Sequence, residues 1–258
     1  MSKRYPFGFW LFLPIFALIQ LNFSQTDEFL ADQKRYPRVR KAIELKAKTL
    51  EEDLEKLDLN SDNFHLLMLA YKEEGRLKLY AKSPEEGQYR FLKAYDICRK
   101  SGNLGPKRKS GDRQVPEGFY HIDRFNPASQ FLLSLGLNYP NTADRIKSDA
   151  DNLGGDIFIH GSCVTVGCLP MTNDKIREIY LYASYAKNNG QAKIPVYIFP
   201  FEMSNLKHWT AKIKQFNDSD LIDFWENLKQ GHDLFVQNRR PLQFRVNASG
   251  DYVFNGAK

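Results

Sequence analysis

The sequence predicts an α+β fold: a largely antiparallel β-sheet with helices gathered mostly towards the two ends of the chain. Three observations carry this. Short apolar or alternating runs of strand length fill the middle of the 258-residue chain. Helical periodicity is confined to a few longer segments. The regular alternation of strand and helix that builds a parallel sheet is missing. Hydrophobic residues at 42%, charged residues at 26% and the absence of low-complexity tracts exclude wholesale disorder.

The elements follow in order. Across 35–57, Val39, Ile43, Ala47, Leu50, Leu54 and Leu57 recur every three or four residues between Lys, Arg and Glu, which predicts an amphipathic helix. The apolar run 64–71, the turn Lys72-Glu-Glu-Gly75 and the alternating Leu77-Lys-Leu-Tyr80 predict a hairpin. Residues 90–98 are a further strand. The stretch 101–118 is rich in Gly, Pro and charge and predicts a long loop of the kind that carries function. Strands are expected over 119–122, 130–139 and 156–160. Thr172 or Asn173 caps a helix running to Asn188, which Gly190 stops. The run 194–200 is a strand with Pro near both ends, which favours an edge or terminal position. A last helix spans 219–237, and 244–254 forms at most a terminal hairpin. The expected organisation is an N-terminal signal at 1–24, a helical segment at 25–62, a catalytic domain at 63–201 and a C-terminal helical extension at 202–258.

The N-terminus has the parts of an export signal. Lys3 and Arg4 precede an apolar core, Phe7 to Ile19, and Ser24 is a small residue suited to cleavage. The alternative is an uncleaved membrane anchor, against which stand the shortness of the run and Pro14. The full chain has 37 Lys plus Arg and 31 Asp plus Glu, a formal charge of +6; removing Met1–Ser24 takes away Lys3 and Arg4 and leaves 6 − 2 = +4. The charge is spread along the chain and by itself selects no partner. Beyond the N-terminus no apolar stretch is long enough to cross a bilayer. With three Cys the sequence is no disulfide-stapled scaffold.

The densest chemistry lies at Ile159-His160-Gly161-Ser162-Cys163-Val164-Thr165-Val166-Gly167-Cys168-Leu169-Pro170. His160 ends a strand and Cys168 follows Gly167 eight residues on. An imidazole in reach can take the proton of a thiol that is otherwise mostly protonated near pH 7. Gly167 permits close backbone approach, and the amides of Gly167 and Cys168 could hold an oxyanion. Spacing alone leaves other readings open. His160, Cys163 and Cys168 are three ligands of an incomplete metal set. Cys163 and Cys168 could be bridged, although geometry rarely allows this across so short a loop. All could be core residues, since a free Cys packs as a small hydrophobe. Cys98 reads as buried and structural, and Cys163 as inert. His121 alternates with Tyr120 and Ile122 on a strand and reads as a surface residue. His65, His208 and His232 have no convergent partners in the sequence.

The segment resembles the catalytic motif of L,D-transpeptidases of the YkuD type, in which His-Gly precedes Ser/Thr-x-Gly-Cys. Here these parts are His160-Gly161 and Thr165-Val166-Gly167-Cys168. The block from Cys163 to Asp174, with Cys98–Lys107, Gly111–Tyr120, Asn126-Pro127, Tyr139-Pro-Asn141 and Ile198–Phe201, is similar to the YafK-like branch, over roughly Arg38–Phe235.

The resemblance implies a YkuD-like catalytic core and a thiol enzyme of the cell wall acting on peptidoglycan stem peptides. Cys168 would be the nucleophile and His160 the general base, with Gly161 and Thr165 supporting the motif. The scissile amide would follow the L-centre of a meso-diaminopimelate residue. Transfer to an amine or to water would share the thioester half-reaction, and the branch includes an amidase that releases a wall-linked protein, a further partner class. No cofactor, metal or nucleic acid is expected. One departure stands out: most YkuD-type enzymes have Arg two residues after the Cys, where this chain has Pro170. Arg113 is the candidate to bind the substrate carboxylate in its place, the alternative being a loop ion pair with Asp112 or Glu117. A non-catalytic wall-binding module on the same fold would not need the intact Cys/His pair.

Overall fold

The computed structural model describes residues 26–255; the export signal expected at 1–24 lies outside them. The centre is an eight-stranded sheet. In chain order the strands are β1 His65–Tyr71, β2 Arg76–Lys82, β3 Arg90–Asp96, β4 Gly118–Asn126, β5 Ser134–Leu137, β6 Phe158–His160, β7 Leu169–Pro170 and β8 Ile194–Phe199. They lie in the order β3-β2-β1-β8-β4-β5-β6-β7. All neighbours are antiparallel except β1 with β8 and β6 with β7. The expected α+β class with a mainly antiparallel sheet is what is found.

One face of the sheet is covered by α1 Thr26–Lys34, α2 Pro37–Glu55 and α4 Asn173–Asn188. Helix α2 buries Val39, Ala42, Leu50 and Leu54, the stripe its periodicity marks, and starts with Pro37 at a first-turn position where no N–H is needed. Helix α4 begins directly after Thr172, whose side chain accepts the Lys175 N–H at 3.3 Å. Short α3, Thr142–Ile146, is held by a reciprocal capping pair between Asn141 and Asp144.

The other face packs on α5 Leu206–Gln215, α6 Ser219–Asn238 and the hairpin of β9 Phe244–Val246 with β10 Tyr252–Phe254. Leu67, Tyr71, Phe199 and Phe201 share a buried cluster with Phe224, Trp225, Phe235 and Tyr252. The C-terminal third thus completes the sheet's own core. Each large aromatic removed from water there contributes about 1.5–3 kcal/mol.

Strand β8 corrects one expectation. It is central, between β1 and β4, not at an edge. Pro195 faces His121 across β4, and His121 directs its N–H to Asn138 Oδ1 and its carbonyl to the Asn138 N–H, away from β8. On the other side the pairing with β1 starts only at Val196. The N–H that proline lacks therefore has no ladder partner to serve on either side.

Candidate active site

Strand β6 carries His160 to the sheet's far end, and the chain returns after a loop as β7. Ile159 pairs with Leu169 and His160 with Pro170 in parallel register, which sets Cys168 beside the start of β6. The Cys168 Sγ takes the Phe158 N–H at 3.4 Å and lies 3.5 Å from the Asp156 carbonyl oxygen. Among the described residues no hydrogen bond joins the thiol to the His160 ring. Burial raises the Cys168 thiol above its ordinary range, against the Phe158 N–H, which favours the thiolate.

His160 is 2% exposed. Its Nδ1 lies 2.6 Å from the Gly161 carbonyl oxygen. A carbonyl only accepts, so Nδ1 carries the proton and Nε2 keeps its lone pair, the tautomer a general base needs. Burial lowers the His160 pKa, with the Gly161 carbonyl opposing it. Phe131 packs on the ring at 4.5 Å between centroids. The Phe131 loop is in turn held by Arg38 of α2, which donates to the carbonyls of Ser129 and Leu132.

Two glycines make this geometry achievable. A Cβ on Gly161 would stand 2.5 Å from the Phe131 carbonyl oxygen and 2.8 Å from Asn173 Oδ1. Gly167 has φ +131°, and a Cβ there would meet the Gln114 carbonyl oxygen at 2.9 Å. The long 101–118 loop therefore lies backbone to backbone against the residue preceding Cys168.

Thr165 organises the turn. Its hydroxyl donates to the Cys168 carbonyl at 2.8 Å and accepts the N–H groups of Gly167 at 3.2 Å and Cys168 at 2.9 Å. Both amides expected to hold an oxyanion are thus engaged as they stand, because Thr165 Oγ1 accepts from each.

The cysteines also differ from expectation. Cys98 is bridged to Cys163, with Cα atoms 5.6 Å apart, and Cys168 is the free thiol. Cys98 is structural as expected, but half-buried rather than buried, and Cys163, expected to be inert, is exposed and bridged to it. The Cys163–Cys168 bridge is ruled out, and Cys163 is withdrawn from the three-ligand metal set. The bridge pins the loop between His160 and Cys168 to the end of β3, where the Cys98 N–H also donates to the Pro170 carbonyl at 3.0 Å.

A cavity of about 280 Å³ opens beside Cys168, with Ile97, Leu104, Val115 and Leu169 as its apolar lining. At its wall is a buried ion pair that the sequence reading missed. Lys72 Nζ contacts Glu117 at 2.8 Å and donates to the carbonyls of Gly105 at 2.7 Å and Val115 at 2.9 Å. Glu117 also accepts the Gly105 N–H and the Trp225 Nε1–H of α6, both at 2.8 Å. Burial lowers the Lys72 pKa, with Glu117 opposing it. The pair fixes both ends of the 101–118 loop. Nothing local in the sequence signals it.

Arg113 is exposed with φ +59° and does not line the cavity. Its expected alternatives are otherwise engaged: Asp112 pairs with Lys107 and Glu117 with Lys72. His121 takes no part in the site; it sits half-buried on β4 opposite Pro195. His232 is buried between Tyr71 and Glu202, and His208 faces Glu73. Glu73, Glu74 and His208 stand close enough to share a cation, but Lys212 already pairs with Glu73.

Residues 72–198 match the model of the L,D-transpeptidase catalytic domain, YkuD. The Escherichia coli K12 protein named "Putative L,D-transpeptidase YafK" is 40% identical over 185 residues, covering 71% of this chain and 71% of that protein. Its counterpart in the O157:H7 strain matches equally. The crystal structure of the helical cell shape determining protein Pgp2 from Campylobacter jejuni aligns with a TM-score of 0.42 at 20% identity, over 71% of this chain and 74% of that one. That of Bdellovibrio bacteriovorus Bd1075 aligns at 0.39 and 22%, over 68% and 61%.

Proposed function

The chain belongs to the L,D-transpeptidase catalytic domain (YkuD) family, and from that premise we propose that it is an exported cysteine enzyme cutting stem-peptide amides of peptidoglycan. The observation that carries the reading is the pairing of a cavity-lining free thiol, Cys168, with His160 in its Nδ1–H tautomer on the adjoining strand.

His160 Nε2 removes the Cys168 proton as Sγ attacks the carbonyl after the L-centre of the donor residue. The tetrahedral intermediate collapses when the amine leaves with the proton from His160, and a thioester remains on Sγ. An acceptor amine makes a cross-link; water releases the peptide or a protein joined to it. Since Thr165 Oγ1 holds the Gly167 and Cys168 amides at rest, their use as oxyanion donors requires that hydroxyl to let them go. Hydrolysis is the favoured outcome, on the resemblance to the branch that contains an amidase.

The Cys98–Cys163 bridge supports an oxidising compartment outside the cytoplasm. N-terminal sequencing of protein recovered from the envelope tests export, and an intact Met1 on a cytoplasmic species overturns it. Incubation with purified sacculi and mass spectrometry of the products tests the chemistry. Release or new cross-links that vanish in Cys168→Ala are expected; turnover retained by Cys168→Ala rejects the mechanism.

A further inference from the structure

We propose that Arg99 is a specificity-determining residue that receives a free carboxylate lying beside the scissile bond. This deepens the peptidoglycan reading and rests on it only for the identity of the substrate.

The cavity beside Cys168 has three cationic side chains in its wall: Lys72, Arg99 and Lys100. Two are already committed. Lys72 is buried on Glu117 and two carbonyls. Lys100 donates to the Glu73 carbonyl. The acid in the wall, Glu73, pairs with Lys212 through one oxygen; its other oxygen lies 3.4 Å from His208 Nε2 without a hydrogen bond. Arg99 is exposed and has no hydrogen bond or ion pair among the described residues. It is the uncommitted charge in a recess whose other surface is largely apolar, and a guanidinium presents a planar donor fork that matches a carboxylate.

The backbone places Arg99 with some care. The preceding residue, Cys98, is fixed covalently to Cys163 and through its N–H to the Pro170 carbonyl. Both anchors belong to the segment that carries His160 and Cys168. The base of the Arg99 side chain is thereby tied to the reacting thiol and not left to a free strand end. Such anchoring reduces the ordering cost of binding. Arg113, by contrast, reaches the site only through its backbone against Gly167.

The ligand is therefore a peptide with a free carboxylate near the carbonyl that Cys168 attacks. In a stem peptide this could be the D-centre carboxylate of the diamino acid or the carboxylate of the residue beyond the cut.

The test needs no natural substrate. Under non-reducing conditions Cys98 and Cys163 are bridged and only Cys168 alkylates. Iodoacetate and iodoacetamide react alike: Sγ displaces iodide from the CH₂ carbon, an S–C bond forms, the C–I bond breaks and the thiol proton passes to solvent. They differ in a carboxylate against a neutral amide. The ratio of the iodoacetate to the iodoacetamide rate should fall about tenfold in Arg99→Ala, as expected for a lost charge-assisted hydrogen bond, recover in part in Arg99→Lys and stay unchanged in Arg113→Ala. The iodoacetamide rate reports that the site is still folded. A ratio equal in wild type and Arg99→Ala overturns the proposal; a fall confined to Arg113→Ala transfers the role to that residue. In a second arm, stem peptides amidated at one carboxylate or the other identify the group by which kcat/KM becomes insensitive to Arg99, and insensitivity with every stem counts against the proposal. Failure of wild type to process any stem or sacculus would reject the peptidoglycan reading, while the alkylation ratio still decides Arg99.

Discussion

His160 Nδ1 points at the carbonyl oxygen of Gly161, its own neighbour in the chain, at 2.6 Å. The ring is thus oriented by the backbone and not by a carboxylate. A carboxylate would stabilise imidazolium strongly; a carbonyl does so weakly, and burial holds the His160 pKa below its usual value.

The pH dependence follows. With the imidazole pKa lowered and the thiol pKa raised, the pair is expected to rest neutral, and His160 to serve as a base down to below the usual imidazole value of about 6.5. The acid limb of kcat/KM should fall below that value. Alkylation of Cys168 by iodoacetamide should instead rise only above the usual thiol value of about 8.5, and its inflection should barely move in His160→Ala, although turnover in that variant falls about 10²–10⁴-fold. A preformed thiolate–imidazolium pair would show itself as rapid alkylation well below pH 7.

Gly161→Ala should damage the site through the backbone. The added Cβ collides with the Phe131 carbonyl oxygen, Asn173 Oδ1 and Ile176 Cγ2. Overpacking of this kind costs about 1–3 kcal/mol, and a displaced His160 should lower kcat/KM about 10²-fold. Gly155, where a Cβ meets nothing within 4 Å, is the control and should tolerate Ala. Thermal unfolding and steady-state kinetics on both variants decide the matter.

Lys72→Met should cost about 3–5 kcal/mol, because it strands the Glu117 carboxylate in a buried setting. Adding Glu117→Gln to the same chain should recover part of the loss, as no bare charge is left. Urea unfolding of the two singles and the double measures the coupling. Additive losses would show that the pair does not act as one unit.

The extent to which this molecule could be read from its sequence depends on range. Strands β1 to β6 and helices α2, α4 and α6 were legible because each carries its own apolar pattern. Helix α5 was passed over: it is short and buries no residue fully, although Trp209 and Ile213, four apart, pack against the core. The position of β8 was misjudged because the cost of Pro195 depends on where its neighbours' C=O groups point. In the site, His160 and Cys168 were legible as chemistry close together in sequence. The Lys72–Glu117 pair and the Cys98–Cys163 bridge join distant segments that no local pattern connects. One clue to the bridge was present: in a chain expected to be exported and holding three Cys, assigning one as a reactive thiol leaves two that can pair.

Reduction provides a direct test of the bridge. It closes a loop of 65 residues in sequence, for which chain-entropy reasoning gives about 4 kcal/mol. Cys98→Ala with Cys163→Ala should lower stability by about 2–4 kcal/mol, and the loss should match that produced in wild type by a phosphine reductant. A reductant effect in the double variant equal to that in wild type would mean that some other change is being measured.

Besides Lys72, Glu117 is bound by Gly105, twelve residues before it, and by Trp225, in the last long helix. A chain emerging from the ribosome or a translocation channel N-terminus first therefore carries both His160 and Cys168 before the wall of their cavity is complete. The wall beside Cys168 waits for a residue that is synthesised after it. Order of synthesis thus leaves an interval in which Glu117 lacks its indole partner.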